Sequence, residues 1–170
     1  MATVLTTQVL VDTNRRALVK FVGYGGTDAN TSLLDVSSLR YSLNANNQIL
    51  GAGTDRKRTY NNTIRRIYGQ GQMTNSTNVT LKWKSDTNNA IVTFGTGYFD
   101  YNFDPQGLSA AIPLAGANAT GDIIFSSTAG TNDSWTLFVE IHKDGSTYDQ
   151  GQRSDPDAFN WYTYEGQLKP

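Results

Sequence analysis

The chain has 170 residues, a formal net charge of −1, 38% hydrophobic residues, one histidine and no cysteine. That length and apolar content suit one domain around a single sizeable core and exclude a disordered or polyionic chain. Without cysteine there is no thiol catalysis and no cysteine-ligated zinc, and His142 alone cannot make a multi-histidine metal site or an HExxH helix.

The texture of Thr, Asn, Ser and Gly with interspersed aromatics favours strands and turns over helices. Val4 to Val11 reads as a strand, Asp12-Thr13-Asn14 as a turn, and Ala17 to Val22 as a second strand able to pair with the first. Gly23 and the flexible Gly25-Gly26 close it. Between Asp35 and Leu43 the alternation of Leu39, Tyr41 and Leu43 predicts a short strand after a turn. Asn44 to Lys57 is a polar loop. Thr59 to Tyr68 places Tyr60, Ile64, Ile67 and Tyr68 at helical spacing. Its asparagine pair and β-branched residues weaken a helix, so a bulged strand or one irregular turn is expected. Gly69 to Thr77 reads as a turn-rich connector. Val79, Leu81 and Trp83 alternate with Thr80, Lys82 and Lys84 in a strand, and Ala90 to Phe94 follows the tight turn Asp86 to Asn89 as its hairpin partner. Gly95-Thr96-Gly97 breaks that strand. Tyr98 to Phe103 is an aromatic cluster, and Asp104 to Ala119 is a long loop with Pro105, Gly107, Pro113 and Gly116.

The rest of the chain is organised around Thr120 to Gly145. Ile123, Phe125 and Ser127 alternate with Ile124, Ser126 and Thr128, and Ala129 to Asp133 supplies turn residues. Trp135, Leu137, Val139 and Ile141 then share one face, with Thr136, Phe138, Glu140 and His142 on the other. Strict period-2 alternation describes a half-buried antiparallel strand, and the whole stretch reads as a β-hairpin. With about seven or eight short strands, the fold class is all-β: an antiparallel β-sandwich, jelly-roll-like, over residues 1–145. Residues 146–170 lack sustained alternation. There Asp149, Arg153, Asp155 and Asp157 are interleaved with Tyr148, Phe159, Trp161, Tyr162 and Tyr164. So many aromatics need a surface, which predicts an extended C-terminal docking arm on a neighbour, or else a final strand folded back on the sandwich.

Local motifs for chemistry are few. Asp100-Tyr-Asn102-Phe-Asp104 opens like a calcium loop, but Pro105 stands where such a loop needs Gly and Ala111 where it needs Glu. A capped turn is the expectation, and a calcium site from other loop carboxylates the alternative. No GxSxG occurs, and His142 reads as a solvated or interface strand residue. Gly69-Gln-Gly71 and Gly95-Thr-Gly97 lack nucleotide-loop spacing. No cofactor or metal is expected. Asn-x-Ser/Thr triplets at Asn30, Asn61, Asn75, Asn78, Asn118 and Asn132 are expected by chance in this composition. No charged-then-apolar leader and no apolar run of membrane-helix length is seen, so neither secretion nor a membrane is expected. Arg15-Arg16, Arg56-Lys57-Arg58 and Arg65-Arg66 are basic clusters. With the net charge slightly negative and Asp scattered among them, acidic patches on a protein partner suit them better than nucleic acid, and a solvated face equally well.

Thr120-Gly121-Asp122-Ile123-Ile124, Asp133-Ser134-Trp135-Thr136-Leu137, the closing Lys143, the Trp83-Lys84 strand, Gly95 to Asp100 and Thr13 to Phe21 together form a pattern over most of Val4 to Lys143. This pattern resembles small virion structural proteins of marine and cyanobacterial tailed bacteriophages. The resemblance implies a non-enzymatic β-sandwich on the virion and leaves head against tail open; residues 146–170 extend beyond it. The leading expectation is a capsid decoration or cement protein that binds the outer surface of the head and stabilises it. Its expected partners are the major capsid protein and neighbouring copies of itself, as a trimer or ring, with no nucleic acid and no membrane. Phe159, Trp161, Tyr162 and Tyr164 would be the anchors, and Arg56, Lys57, Arg58, Arg65 and Arg66 would supply charge complementarity. A tail, neck or fibre component is one alternative. A carbohydrate-binding module using Trp161 or Tyr98 as a platform is another.

Overall fold

The structure, a computed structural model, describes residues 2–51, 54–74, 77–103, 107–109 and 116–150. Within them the period-2 patterns become strands β1 (Val4–Asp12), β2 (Arg16–Tyr24), β3 (Asp28–Leu34), β4 (Asn62–Gln72), β5 (Val79–Trp83), β6 (Ala90–Phe94), β7 (Gly97–Asn102), β8 (Leu108–Ser109), β9 (Ile123–Ser127) and β10 (Ser134–Lys143). No α-helix occurs among the described residues. The strands form two antiparallel sheets that pack together as a β-sandwich. The larger, six-stranded sheet runs β1-β2-β10-β4-β7, with β8 also pairing to β4; the smaller runs β3-β9-β5-β6.

The core lies between the sheets. Trp135, Leu137, Val139 and Ile141 of β10 are buried from one side, and Val79, Leu81, Trp83 and Phe125 from the other. Each such side chain removed from water contributes roughly 1.5–3 kcal/mol. Rings meet across the gap: Phe125 and Phe94 approach Trp135 edge-on, with centroids 5.7 and 6.1 Å apart. Glycine makes room for the indole. Trp135 stands opposite Gly23 on β2 and Gly71 on β4, and a Cβ on Gly23 would come within 2.2 Å of the ring. Gly69-Gln70-Gly71, expected as part of a connector, therefore continues β4. Backbone approaches this close exclude a side chain, so the glycines belong to the strand.

The larger correction concerns Thr120 to Gly145. Its two strands are real, but they are not a hairpin. β9 lies between β3 and β5, and β10 lies between β2 and β4 in the opposite sheet. The link between them is an arch with pinned feet. Thr128 exchanges backbone and hydroxyl hydrogen bonds with Asn78, and Asp133 accepts from the Thr74 amide at 2.8 Å and the Thr77 hydroxyl at 3.0 Å. The physical reason is burial. As an arch, the connection sets the apolar faces of β9 and β10 against each other; a hairpin would leave both on one sheet. A second correction falls at Asp35 to Leu43, which forms a 3-10 turn at Val36–Ser38 capped by Asp35, then a turn with Tyr41 at φ 65°. Val36, Leu39 and Leu43 are buried there without a ladder, so their apolar spacing reports packing and not a strand. The bulged strand expected over Thr59 to Tyr68 is present: β4 begins at Asn62, and Arg65 is the extra residue between the pairs Glu140–Arg66 and Ile141–Ile64. Tyr98 to Phe103 is mostly strand β7, and β3 was not anticipated.

Residues 146–150, expected at the start of the arm, pack on the sandwich. Tyr148 is fully buried, donates its hydroxyl to the Val36 carbonyl at 3.1 Å and tilts against Tyr60. Burial pushes its hydroxyl pKa far up. Beside it lies Lys143, also fully buried. Its ammonium pairs with Asp12, donates to the carbonyls of Thr13 and Arg40 at 2.8 Å each, and sits over the Tyr148 ring. All three ammonium donors are thereby used, which is what a buried lysine requires.

Candidate docking face

Because successive residues of a strand point to opposite faces, the partners of the core residues on β10 define the outer face of the six-stranded sheet. The pairing registers align them in rows. One row runs Lys20, Phe138, Tyr68, Asp100 across β2, β10, β4 and β7. Phe138 and Tyr68 stack with centroids 4.9 Å apart and planes 6° from parallel. Lys20 lies over the Phe138 ring at 6.0 Å, and the Arg66 guanidinium over Tyr68 at 4.8 Å. Arg66 also grips Asp100 with two nitrogens, at 2.8 and 2.5 Å. That fork raises the arginine pKa further and holds the Asp100 carboxyl below its usual range. The neighbouring row carries Val11, Leu18, Glu140 and Arg66. The result is a half-exposed surface of rings and fixed charges, with a hollow of about 200 Å³ between Val11, Leu18, Arg66, Tyr68 and Glu140.

Toward the Ser134 end of β10 the same face opens a shallow depression of about 290 Å³. Gln70, Gln72, Ser134 and Thr136 line it, and Tyr98, 73% exposed, stands beside them. Hydrogen-bonding side chains next to one exposed ring can hold a small polar ligand. Among the described residues no group of three or more His, Cys, Asp or Glu could hold a metal ion. Asp100, from the calcium-like motif, is committed to Arg66, while Asp104, Pro105 and Ala111 lie outside the described residues.

The basic residues expected at the interface do not form one patch. Arg56 turns inward: it pairs with Asp35 at 3.0 Å and with the buried Asp122 at 3.2 Å, and covers the Tyr60 ring. Asp122 also accepts from the Val36 amide, so Arg56 and Asp122 join the loop before β4 to the start of β9. Lys57 donates to Asn47 and to the Ser146 carbonyl. Arg58 is exposed, and Arg65 is half-buried at the β4 bulge, its carbonyl accepting from Phe103. Only Arg66 of the set is seen within the rows of the outer face. Phe159, Trp161, Tyr162 and Tyr164 lie outside the described residues. Sequence reasoning did not nominate Tyr68, Phe138 and Lys20. The signal for Phe138 was an aromatic on the polar side of an alternating strand; for Tyr68 there was none, because its neighbours mimic helical spacing.

No family model matches this chain, and neither does a curated protein or a solved structure. Its functional reading therefore rests on its own surface.

Proposed function

We propose that this protein is a non-enzymatic structural component of a tailed-phage virion: a capsid decoration or cement protein on the outer surface of the head. Its partners on this reading are the major capsid protein and neighbouring copies of itself. The observation that carries the reading is the outer face of the six-stranded sheet, where stacked rings and fixed charges spread across four strands. A broad surface of that kind suits many weak, repeated contacts whose strength comes from avidity. The strand order supports the jelly-roll expectation. With β1 and β8 set aside, β2-β10-β4-β7 faces β3-β9-β5-β6, the interleaving that two Greek keys give. That order is an argument about architecture and is shared by proteins of many functions. Residues 151–170 keep their proposed role as an arm, and Arg58 and Arg66 supply charge, whereas Arg56 serves the fold.

The test is the copy number of this chain relative to the major capsid protein in purified particles, by quantitative mass spectrometry. A ratio comparable to the shell protein is expected. A few copies per particle would place it in the neck, tail or fibre, and absence would overturn the virion reading. Deleting 151–170 should abolish attachment and leave the sandwich folded; deletion from 146 would confuse the two effects, because it removes the buried Tyr148.

A carbohydrate-binding reading is favoured by one observation, the exposed Tyr98 beside Gln70, Gln72 and Thr136. Sugar-dependent quenching of tryptophan fluorescence, lost in Tyr98→Ala, would support it over the virion reading.

A further inference from the structure

The β1 edge of the six-stranded sheet is unguarded, and we infer that it is a self-complementary interface through which two copies of this chain pair antiparallel about a two-fold axis at Thr7. Among the described residues β1 pairs with β2 alone, so its other edge offers backbone amides and carbonyls to a further strand. From Val4 to Val11 there is no charge and no proline. Val4, Val9 and Leu10 are 58%, 49% and 43% exposed. The other sheet edges carry the usual guards. β3 is interrupted at Asn30, whose φ is 57°, β6 has five residues, and β7 bears Asp100 and begins on Gly97 at φ 109°.

The sequence of β1 selects the occupant. In a two-fold antiparallel pair the axis is perpendicular to the sheet, so residues facing each other across it lie on the same face. Centred on Thr7, the threonine faces itself, Leu5 of one copy faces Val9 of the other and Thr6 faces Gln8. From Leu5 to Val9, the regular stretch before the bulge, every apolar residue meets an apolar one and every polar residue a polar one. Centring on Thr6 sets Leu5 against Thr7 and Val4 against Gln8. Centring on Gln8 sets Thr7 against Val9. Aliphatic and threonine pairs are among the favourable cross-strand combinations, and an uncharged strand meets no like-charge repulsion from its own copy. The bulge at Leu10 ends the ladder.

The contact is isologous, unlike the contacts of a trimer or ring, and it does not depend on the virion reading. It merges two six-stranded sheets into one and brings their outer faces to the same side.

Sedimentation velocity on the full chain tests it, with Thr7→Lys and Thr7→Glu as variants. Each places like charges opposite each other at the axis, on a residue exposed in the single copy. A dimer is expected for the unmodified chain, weakened at least about fivefold in either variant, and restored when the two variants are mixed. The mixture also shows that each variant is folded. Backbone amides from Val4 to Leu10 should gain exchange protection as concentration rises. A monomer at all concentrations would overturn the inference, as would association that both variants leave unchanged. So would a chain ending at residue 150 that dimerises where the full chain does not, because that would give the edge to residues 151–170.

Discussion

Two residues far apart in sequence, Asp12 and Lys143, are a test of how much one buried ion pair matters here. The ammonium is fully buried, and burial pulls its pKa down, opposed by the Asp12 carboxylate. Removing the carboxylate alone leaves a buried charge without its counter-ion, so Asp12→Ala should cost about 3–5 kcal/mol. Lys143→Met removes the charge itself and should cost clearly less, since an apolar residue of similar length can pack against Tyr41 and Tyr148. Urea unfolding of the two variants checks this: the midpoint should fall much further for Asp12→Ala. Equal losses would mean that packing, and not charge, sets the value of the site. None of this was legible in the sequence, where Lys143 stands only as the residue that closes the last strand. A partner 131 residues away has no local signature.

Elements tell how far alternation can be trusted. In β5 and β10 the faces were legible because a half-buried strand must alternate, and their inward residues are buried as expected. Period-2 patterning gives faces but not neighbours, so it could not distinguish a hairpin from the arch between β9 and β10. β3 was missed because Asp28 to Ser32 is polar apart from Ala29, and only Leu33 and Leu34 enter the core. Of the candidate face, Phe138 alone left a signal of this kind, an aromatic on the polar side of its strand, while the fork of Arg66 on Asp100 joins two strands whose pairing only the fold reveals. The glycines facing Trp135 carry the sharpest prediction at this scale. Gly23→Ala must displace the indole, which also packs against Phe94 and Phe125. Overpacking of this kind should cost about 1–3 kcal/mol. Thermal unfolding of Gly23→Ala should show the loss, with a changed near-ultraviolet signal from Trp135; an unchanged melting temperature would mean the ring has room to move.

At the scale of the whole molecule, the shifted aspartates among the described residues move the same way. Asp133 lies below its ordinary 3.8 because the Gly130 amide, and then Thr74 and Thr77, donate to it, with burial opposing. Arg66 lowers Asp100, and the hydroxyl and amide of Ser146 lower Asp144. For Asp28 and Asp35 burial is the largest single influence and raises the pKa, but Thr3 and Thr31 together outweigh it at the first and Ser37 and Arg56 at the second. A carboxylate whose folded pKa is depressed stabilises above its unfolded value and loses that stabilisation as pH falls through the folded one, because the unfolded chain then binds more protons. Unfolding midpoints should therefore be nearly flat from neutral pH to about 5 and fall steadily below about 4. Asp133→Asn should flatten that fall. A molecule equally stable at acid and neutral pH would contradict this account.

The position of β10 has a consequence for biosynthesis. It is the last of the strands among the described residues, yet it occupies the middle of the larger sheet, between β2 and β4. As the chain leaves the ribosome, those two strands therefore have no shared neighbour until Ser134 to Lys143 has emerged, and the backbone edges they turn toward each other wait unpaired. Such long-range closure is slow, on the order of milliseconds to seconds. Nascent chains released before that segment would carry two open strand edges, and the cell must either finish the chain or clear it.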